Sequence, residues 1–282
     1  MEHYDILIIG GGAAGIAAAK ACSEAKVLLA DRKADLGGVL LQCAHHGFGK
    51  NQSGPEYTEE LLEDFPQNIT LALNTTVVSV SRDKKALLRG REVGEKEISC
   101  SELILATGCR EIPIGALPVA GTRPKGIYTA GQMQEMMNLH GHVPEGPVVI
   151  LGSGDLGLIM AKQLAQASLA VTLVEKKASC GGMAKNQRCL QEYPIALICG
   201  ETITEVCGYP HLERVVLFDG REIPCKTLLI AVGLRPEQEL ICGLDAPKWL
   251  HICGNCNRVH PMVEAVTQEG KQAGMAAYEN LR

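Results

Sequence analysis

The sequence predicts an α/β protein built from two Rossmann-like dinucleotide-binding units. Three observations carry that expectation. An apolar strand runs through a glycine turn into a helix twice, at residues 5–22 and 147–166. A following strand ends on an acid in each copy, Asp31 in the first and Glu175 in the second. Each copy later closes on an apolar run into a further turn, Leu103-Ile104-Leu105-Ala106-Thr107-Gly108 and Leu228-Leu229-Ile230-Ala231-Val232-Gly233.

The first copy reads as a strand at residues 5–9, the turn Gly10-Gly11-Gly12-Ala13-Ala14-Gly15, an alanine-rich helix at 16–22 and a strand at 26–30. The second reads as a strand at 147–151, the turn Gly152-Ser153-Gly154-Asp155-Leu156-Gly157, a helix reaching about Gln166 and a strand at 170–174. The likeness continues past the acids into Gly37-Gly38 and Gly181-Gly182. Such a duplication is two βαβ units and not a solenoid, which needs at least three repeats to bury its faces. Residues 112–119, rich in Pro and Gly, read as a crossing linker. A helix is expected at 130–139. Another begins near Pro261, with Val263, Val266, Gly270, Ala273 and Ala277 on one packed face. Glu59, Glu60, Glu63 and Asp64 read as the solvated face of a helix and receive no function.

A formal net charge of -5 argues against a nucleic-acid partner, which would call for a basic patch. No apolar stretch approaches the ~18 residues of a membrane span. Met1-Glu2-His3-Tyr4-Asp5 lacks the basic start of a signal peptide, so a cytoplasmic location is expected. The twelve cysteines are scattered and not arranged as a stapled scaffold, which fits reduced, mostly packed thiols.

Each position of the glycine turns has its own physical requirement. The first Gly makes the tight turn, the second lets backbone approach a pyrophosphate, and the third lets helix pack on strand. The pyrophosphate then meets the unpaired N–H groups and the positive end of the helix. The acid accepts from a ribose diol, so Glu175 favours NAD, whose 2′-OH it would hold. Lys176 and Lys177 offer charge to a 2′-phosphate, which leaves NADP open.

Further segments carry a family pattern. They are Gly37-Gly38-Val39-Leu40-Leu41-Gln42-Cys43-Ala44-His45-His46-Gly47-Phe48-Gly49, Ala106-Thr107-Gly108-Cys109-Arg110-Glu111-Ile112-Pro113, Gly126-Ile127-Tyr128-Thr129-Ala130-Gly131 and Cys253-Gly254-Asn255. With the glycine turns, they make the chain resemble the two-dinucleotide-binding-domain flavoproteins of the thioredoxin-reductase-like superfamily. More closely, it resembles the FAD/NAD-dependent reductase found beside glycerol-3-phosphate dehydrogenase in anaerobic bacteria. That group is similar to the larger subunits of opine, proline and cyanide-forming glycine dehydrogenases.

The resemblance implies an NAD domain, residues 122–239, inserted into an FAD domain formed by residues 1–121 and 240–282. It implies FAD with its pyrophosphate at Gly10, Gly12 and Gly15 and its adenosine ribose at Asp31. Val77 would present its backbone to the adenine, Thr107 and Gly108 would line the crossing point, and Gly254 and Asn255 would lie against the ribityl chain. Ala14, Arg32, Gly38 and Ala106 complete the candidate FAD set. Gly152, Gly154, Leu156, Gly157, Glu175 and Gly233 form the candidate nicotinamide-nucleotide set. The last helix would aim its N-terminus at the flavin, with Pro261 as its first residue. The superfamily usually carries Asp where Asn255 stands, and close relatives carry an apolar residue at Cys256. Family members are also longer, with more chain between Glu239 and His251 and after the last helix. The resemblance also implies a catalytic dehydrogenase subunit or an iron–sulfur protein as the partner.

Hydride transfer between a nicotinamide and a flavin needs alignment more than acid–base groups, so few catalytic side chains are expected. Cys43, near His45 and His46, is the one candidate thiol, and a packed cysteine is the plainer reading. Cys253 and Cys256 form a CxxC that offers a redox pair or half a metal site. A zinc site would need two more ligands at suitable spacing, so no metal is expected. The leading function is an FAD-dependent oxidoreductase serving as the reductase subunit of a dehydrogenase for an amino acid or polyol phosphate. The competitors are a thiol–disulfide reductase using Cys253 and Cys256, and a subunit that holds nucleotides without turning them over.

Overall fold

The apolar runs within Glu2–Ile9 and Val148–Leu151 become middle strands of two sheets. The computed structural model describes all 282 residues, which fall into two units: Met1–Arg110 with Arg235–Arg282, and Glu111–Leu234.

In the first unit the sheet order is Thr70–Ala72, Val27–Ala30, Glu2–Ile9, Gly94–Leu105, Lys85–Gly90, Thr75–Val80, with Leu250–Ile252 also pairing on Gly94–Leu105. Glu2–Ile9 runs parallel to both neighbours, whereas Lys85–Gly90 and Thr75–Val80 are antiparallel additions. Ile6, Leu7 and Ile8 are fully buried, because a parallel sheet covered on both faces leaves no side for water. Ile6, Ile8 and Ile104 pack with Ala14 and Ala18 of the helix Ala13–Ala21 and with Ala273 and Ala277 of the helix Val263–Glu279. Leu7, Leu103 and Leu105 pack on the other face with Leu88 and Ile98.

In the second unit Ile195–Cys199, Val171–Glu175, Val148–Leu151, Thr227–Ile230 and Ile127–Thr129 form an all-parallel sheet. Helices Ala130–His140 and Asp155–Gln166 cover one face through Met133, Leu158, Ala161 and Leu164. A small sheet containing Ile203–Cys207 and Arg214–Leu217 covers the other through Val206, Val215 and Leu217. No helix of the chain is long and apolar enough to cross a membrane.

Three expectations need correction. The chain passes between units at Arg110/Glu111 and Leu234/Arg235, not at 121/122 and 239/240. The supposed linker at 112–119 belongs to the second unit, because Val119 is buried in its core, with Ile114 and Leu117 packed alongside. Ala120–Gly121 then pairs in parallel with Ile203–Cys207. Pro261 is not the first residue of the last helix. That helix starts at Val263 with Met262 as its N-cap, one residue after the proline. The expected packed face of this helix is present, with Gly270, Ala273, Gly274 and Ala277 buried.

Candidate nucleotide-binding sites

The two glycine turns have the same construction. Gly10 and Gly152 both sit at φ near +105, a conformation that L side chains rarely adopt. A Cβ on Gly10 would stand 2.3 Å from Ala106 O, and one on Gly152 2.4 Å from Ala231 O. The third glycine locks onto the first: a Cβ on Gly15 would meet Gly10 O at 1.8 Å, and one on Gly157 would meet Gly152 O at 2.2 Å. The middle glycines differ from both. A Cβ on Gly12 or Gly154 would meet nothing within 4 Å, and both have ordinary negative φ. Their lack of a side chain therefore meets no internal need of the fold, and it leaves room directly before a helix N-terminus.

Those N-termini lack protein partners of the usual kind. Gly54–Leu62 and Ala130–His140 carry full capping boxes, Ser53 with Glu56 and Thr129 with Gln132. Ala13–Ala21, Asp155–Gln166 and Val263–Glu279 have no side-chain cap. The first-turn N–H groups of an uncapped helix suit an anion such as a pyrophosphate. The residues present thus fit a dinucleotide in each unit.

The acids at the strand ends hook back onto their own turns. Asp31 accepts from Gly11 N at 2.5 Å and from Lys33 N at 2.7 Å. Glu175 accepts from Ser153 N at 2.9 Å, Ser153 Oγ at 2.6 Å and Lys177 N at 2.9 Å. Burial pushes the Glu175 carboxyl upward, but hydrogen bonds from Ser153 and Lys177 together hold it below its ordinary value. Ser153 Oγ in turn accepts from Gly181 N at 2.8 Å. Asp155, the second acid of this turn, accepts from Met183 N at 2.7 Å and Asn186 Nδ2 at 2.6 Å. Ser153, Asp155 and Asn186 were not singled out from the sequence. Polar residues in a loop give no periodic signal.

Several expected FAD residues converge in the first unit. Gly37 N donates to Gly11 O, which brings Gly38 over Gly12, where a Cβ on Gly38 would meet Gly12 Cα at 3.1 Å. Arg32 is exposed beside Asp31. Thr75 N donates to Asp31 O, so the strand bearing Val77 starts beside the acid. Ala106 is buried under Gly10, and Thr107 Oγ1 donates to Glu237 O at 2.6 Å. Gly108 has φ +77 and open space around its Cα. In the second unit Gly233 is exposed at φ +143.

Ala14 and Leu156 turn their side chains into the packing. Ala14 is buried against Gly254 and Gly270, and Leu156 packs on the second unit's core. Both act as packing residues at the base of their turns.

Asn255 shows which of its atoms is left to meet a ligand. Its Oδ1 accepts from His260 N at 2.9 Å. A backbone N–H can only donate, so the atom facing it is the oxygen, and the amide nitrogen is left to donate. An Asp at this place would present an acceptor instead.

The cysteines are thiols throughout. Burial pushes the Cys43 thiol up to about 12, and its Sγ donates to Val39 O at 3.3 Å. Cys253 and Cys256 are essentially fully buried, and burial raises both thiols. Each Sγ donates to Leu105 O, at 3.7 and 3.0 Å. This is the environment of packed cysteines, since thiolate chemistry needs access and a lowered pKa. No group of three or more His, Cys, Asp or Glu side chains is arranged to hold a metal.

Comparison with known proteins agrees with this geometry. An opine oxidase subunit from Agrobacterium tumefaciens (strain Ach5) is 29% identical over 274 residues, covering 85% of this chain and 54% of that protein. Hydrogen cyanide synthase subunit HcnB of Pseudomonas protegens is 30% identical over 271 residues, covering 83% of this chain and 57% of that protein. The chain thus spans about half the length of both relatives. The crystal structure of T. acidophilum thioredoxin reductase superposes with a TM-score of 0.80 over 100% of this chain and 99% of its own, at 17% identity, and so shares the fold. The sequence profile of the pyridine nucleotide-disulphide oxidoreductases matches residues 4–249, and the chain belongs to that family of FAD- and NAD(P)-dependent oxidoreductases.

Proposed function

We propose that the unit Met1–Arg110 with Arg235–Arg282 holds FAD, that Glu111–Leu234 holds NAD, and that the chain moves a hydride between them. The observation that carries this reading is the pair of middle glycines, Gly12 and Gly154, each open in front of an uncapped helix N-terminus. Bound FAD supplies the two-electron chemistry, and the chain supplies orientation and electrostatics. Gly12 and Gly38 admit the FAD pyrophosphate, Asp31 takes the adenosine ribose, and Asn255 donates its amide to the ribityl chain. Gly154 and Glu175 do the same work for NAD.

The chain acts as the reductase subunit of a larger dehydrogenase. Support comes from the relatives, which are named as subunits of opine oxidase and hydrogen cyanide synthase. A catalytic partner, or an iron–sulfur protein, would exchange electrons with the flavin while oxidising a small substrate such as an amino acid or polyol phosphate. Twelve thiols suit a reducing compartment, the cytoplasm.

Purified protein loaded with FAD is expected to be yellow, and NADH is expected to bleach it under anaerobic conditions. A colourless protein that ignores NADH defeats the proposal. Tight FAD binding without bleaching would favour a nucleotide-holding subunit instead. The buried pair Cys253 and Cys256 weighs against thiol–disulfide exchange as the activity.

Nucleotide choice is tested at Glu175. Glu175→Ala is expected to raise the KM for NADH about tenfold, ~1.4 kcal/mol. Steady-state kinetics with both nucleotides should show the preference for NADH over NADPH shrinking by a similar factor. An unchanged ratio would remove Glu175 from nucleotide recognition.

A further inference from the structure

We propose that Glu269, backed by His260, is a positioning residue that holds the turn at Gly254 and Asn255 in the shape that meets the flavin. The proposal rests on the reading of FAD in the first unit.

The turn is tightly constrained. Gly254 has φ +69, and a Cβ there would stand 2.8 Å from Ala14 Cβ and 3.2 Å from Val266 Cγ1. It lies between the helix Ala13–Ala21 and the helix Val263–Glu279. Gly254 begins a short turn, so its N–H has no helical acceptor behind it. Glu269 Oε2 accepts it at 2.9 Å. Glu269 reaches it because side chains on a helix lean toward the N-terminus.

The second oxygen of the carboxylate is also engaged. Glu269 Oε1 lies 2.8 Å from His260 Nε2, in direct contact although the N–H is not aligned for a hydrogen bond. Arg258 approaches the same oxygen at 4.0 Å. The His260 side chain is only 5% exposed, so the contact is shielded from water. His260 returns to the turn through its backbone, whose N–H donates to Asn255 Oδ1. Gln238 Nε2 donates to Cys256 O from the other end.

One carboxylate and one histidine therefore fix two consecutive residues. Glu269 sets the backbone of Gly254, and His260 sets the side chain of Asn255. Bonds to a carboxylate are stronger than neutral ones, so Glu269 is the firmer of the two anchors. Without it the Gly254 N–H loses its acceptor, and the amide of Asn255 loses its fixed aim.

The test uses the full chain, stripped of FAD and titrated back, with flavin fluorescence read for affinity. Thermal melts of the apo form and visible circular dichroism of the bound flavin accompany it. Glu269→Ala is expected to weaken FAD binding about tenfold and to change the flavin dichroism. Glu269→Gln keeps an oxygen for Gly254 N–H and is expected to stay within about threefold of the original affinity with unchanged dichroism. Glu269→Asp keeps the charge but falls short by one methylene, and is expected to weaken FAD binding about tenfold as well, so it gives the readout where the alanine variant fails to fold. Unaltered affinity in Glu269→Asp overturns the proposal, and so does a glutamine variant as impaired as the aspartate one. Failure of the unaltered chain to take up FAD would defeat the underlying assignment as well, and is told apart by that control.

Discussion

Gly12→Val is expected to leave the chain folded and to weaken FAD binding about a hundredfold, ~2.7 kcal/mol. The backbone at Gly12, φ -78 and ψ -171, is one that an L residue adopts without strain. The new Cβ meets nothing within 4 Å, so the apo melting temperature should barely move. The added methyls instead fill the space in front of the helix N-terminus, where a pyrophosphate would lie. Gly154→Val makes the same change in the second unit. Its expected result is a yellow protein that NADH no longer bleaches. Gly15→Val separates fold from site, because its Cβ would stand 1.8 Å from Gly10 O and the turn itself cannot close. FAD titration with apo melts checks Gly12→Val and Gly15→Val, and anaerobic reduction by NADH checks Gly154→Val. Undiminished FAD affinity in Gly12→Val would show that the open space is not the pyrophosphate cradle.

Gly270→Val is expected to lose about 4 kcal/mol or more of stability, with a fall in Tm of roughly 10 °C or more. Here the last helix crosses the first glycine-turn helix with almost nothing between the two backbones. A Cβ on Gly270 would stand 2.1 Å from Ala14 O, and one on Gly274 2.3 Å from Ala18 O. Ala14, Ala18 and Ala21 on one helix meet Gly270, Ala273 and Gly274 on the other, so no long side chain can swing aside to relieve the clash. The helices must separate, and that exposes the face of the sheet carrying Ile6, Ile8 and Ile104. Gln268→Ala, at an exposed position on the same helix, should change stability by no more than about 0.5 kcal/mol. Differential scanning calorimetry of the two variants makes the comparison. A Gly270→Val protein that melts with the original would mean that the helices do not pack this closely in solution.

Much of this architecture is legible in the sequence because its causes are local. A positive φ at Gly10, a backbone contact at Gly15 and open space at Gly12 each ask for glycine within one six-residue turn. The acid that follows is placed by the length of a single helix and strand. The turns were therefore visible before the fold was. What stayed hidden depends on contacts distant in the chain. Residues 112–119 look like a linker by composition, and only the burial of Val119 beside Val149 and Val206 gives them to the second unit. Glu269 looks like one more charge on a helix, since nothing in the spacing links it to Gly254 fifteen residues earlier. The CxxC at Cys253 and Cys256 suggested chemistry, yet its sulfurs are packed against Leu105.

The interlock of first and third glycines has an evolutionary consequence. Because Gly15 closes on Gly10, and Gly157 on Gly152, the two turns share one backbone frame. A gene that duplicated such a unit would inherit a finished backbone, and selection could then retune the second copy through its middle residue and acid alone. The two copies differ at the turn's second residue and at the acid, Gly11 with Asp31 against Ser153 with Glu175. One frame thus leaves those positions open to vary between copies.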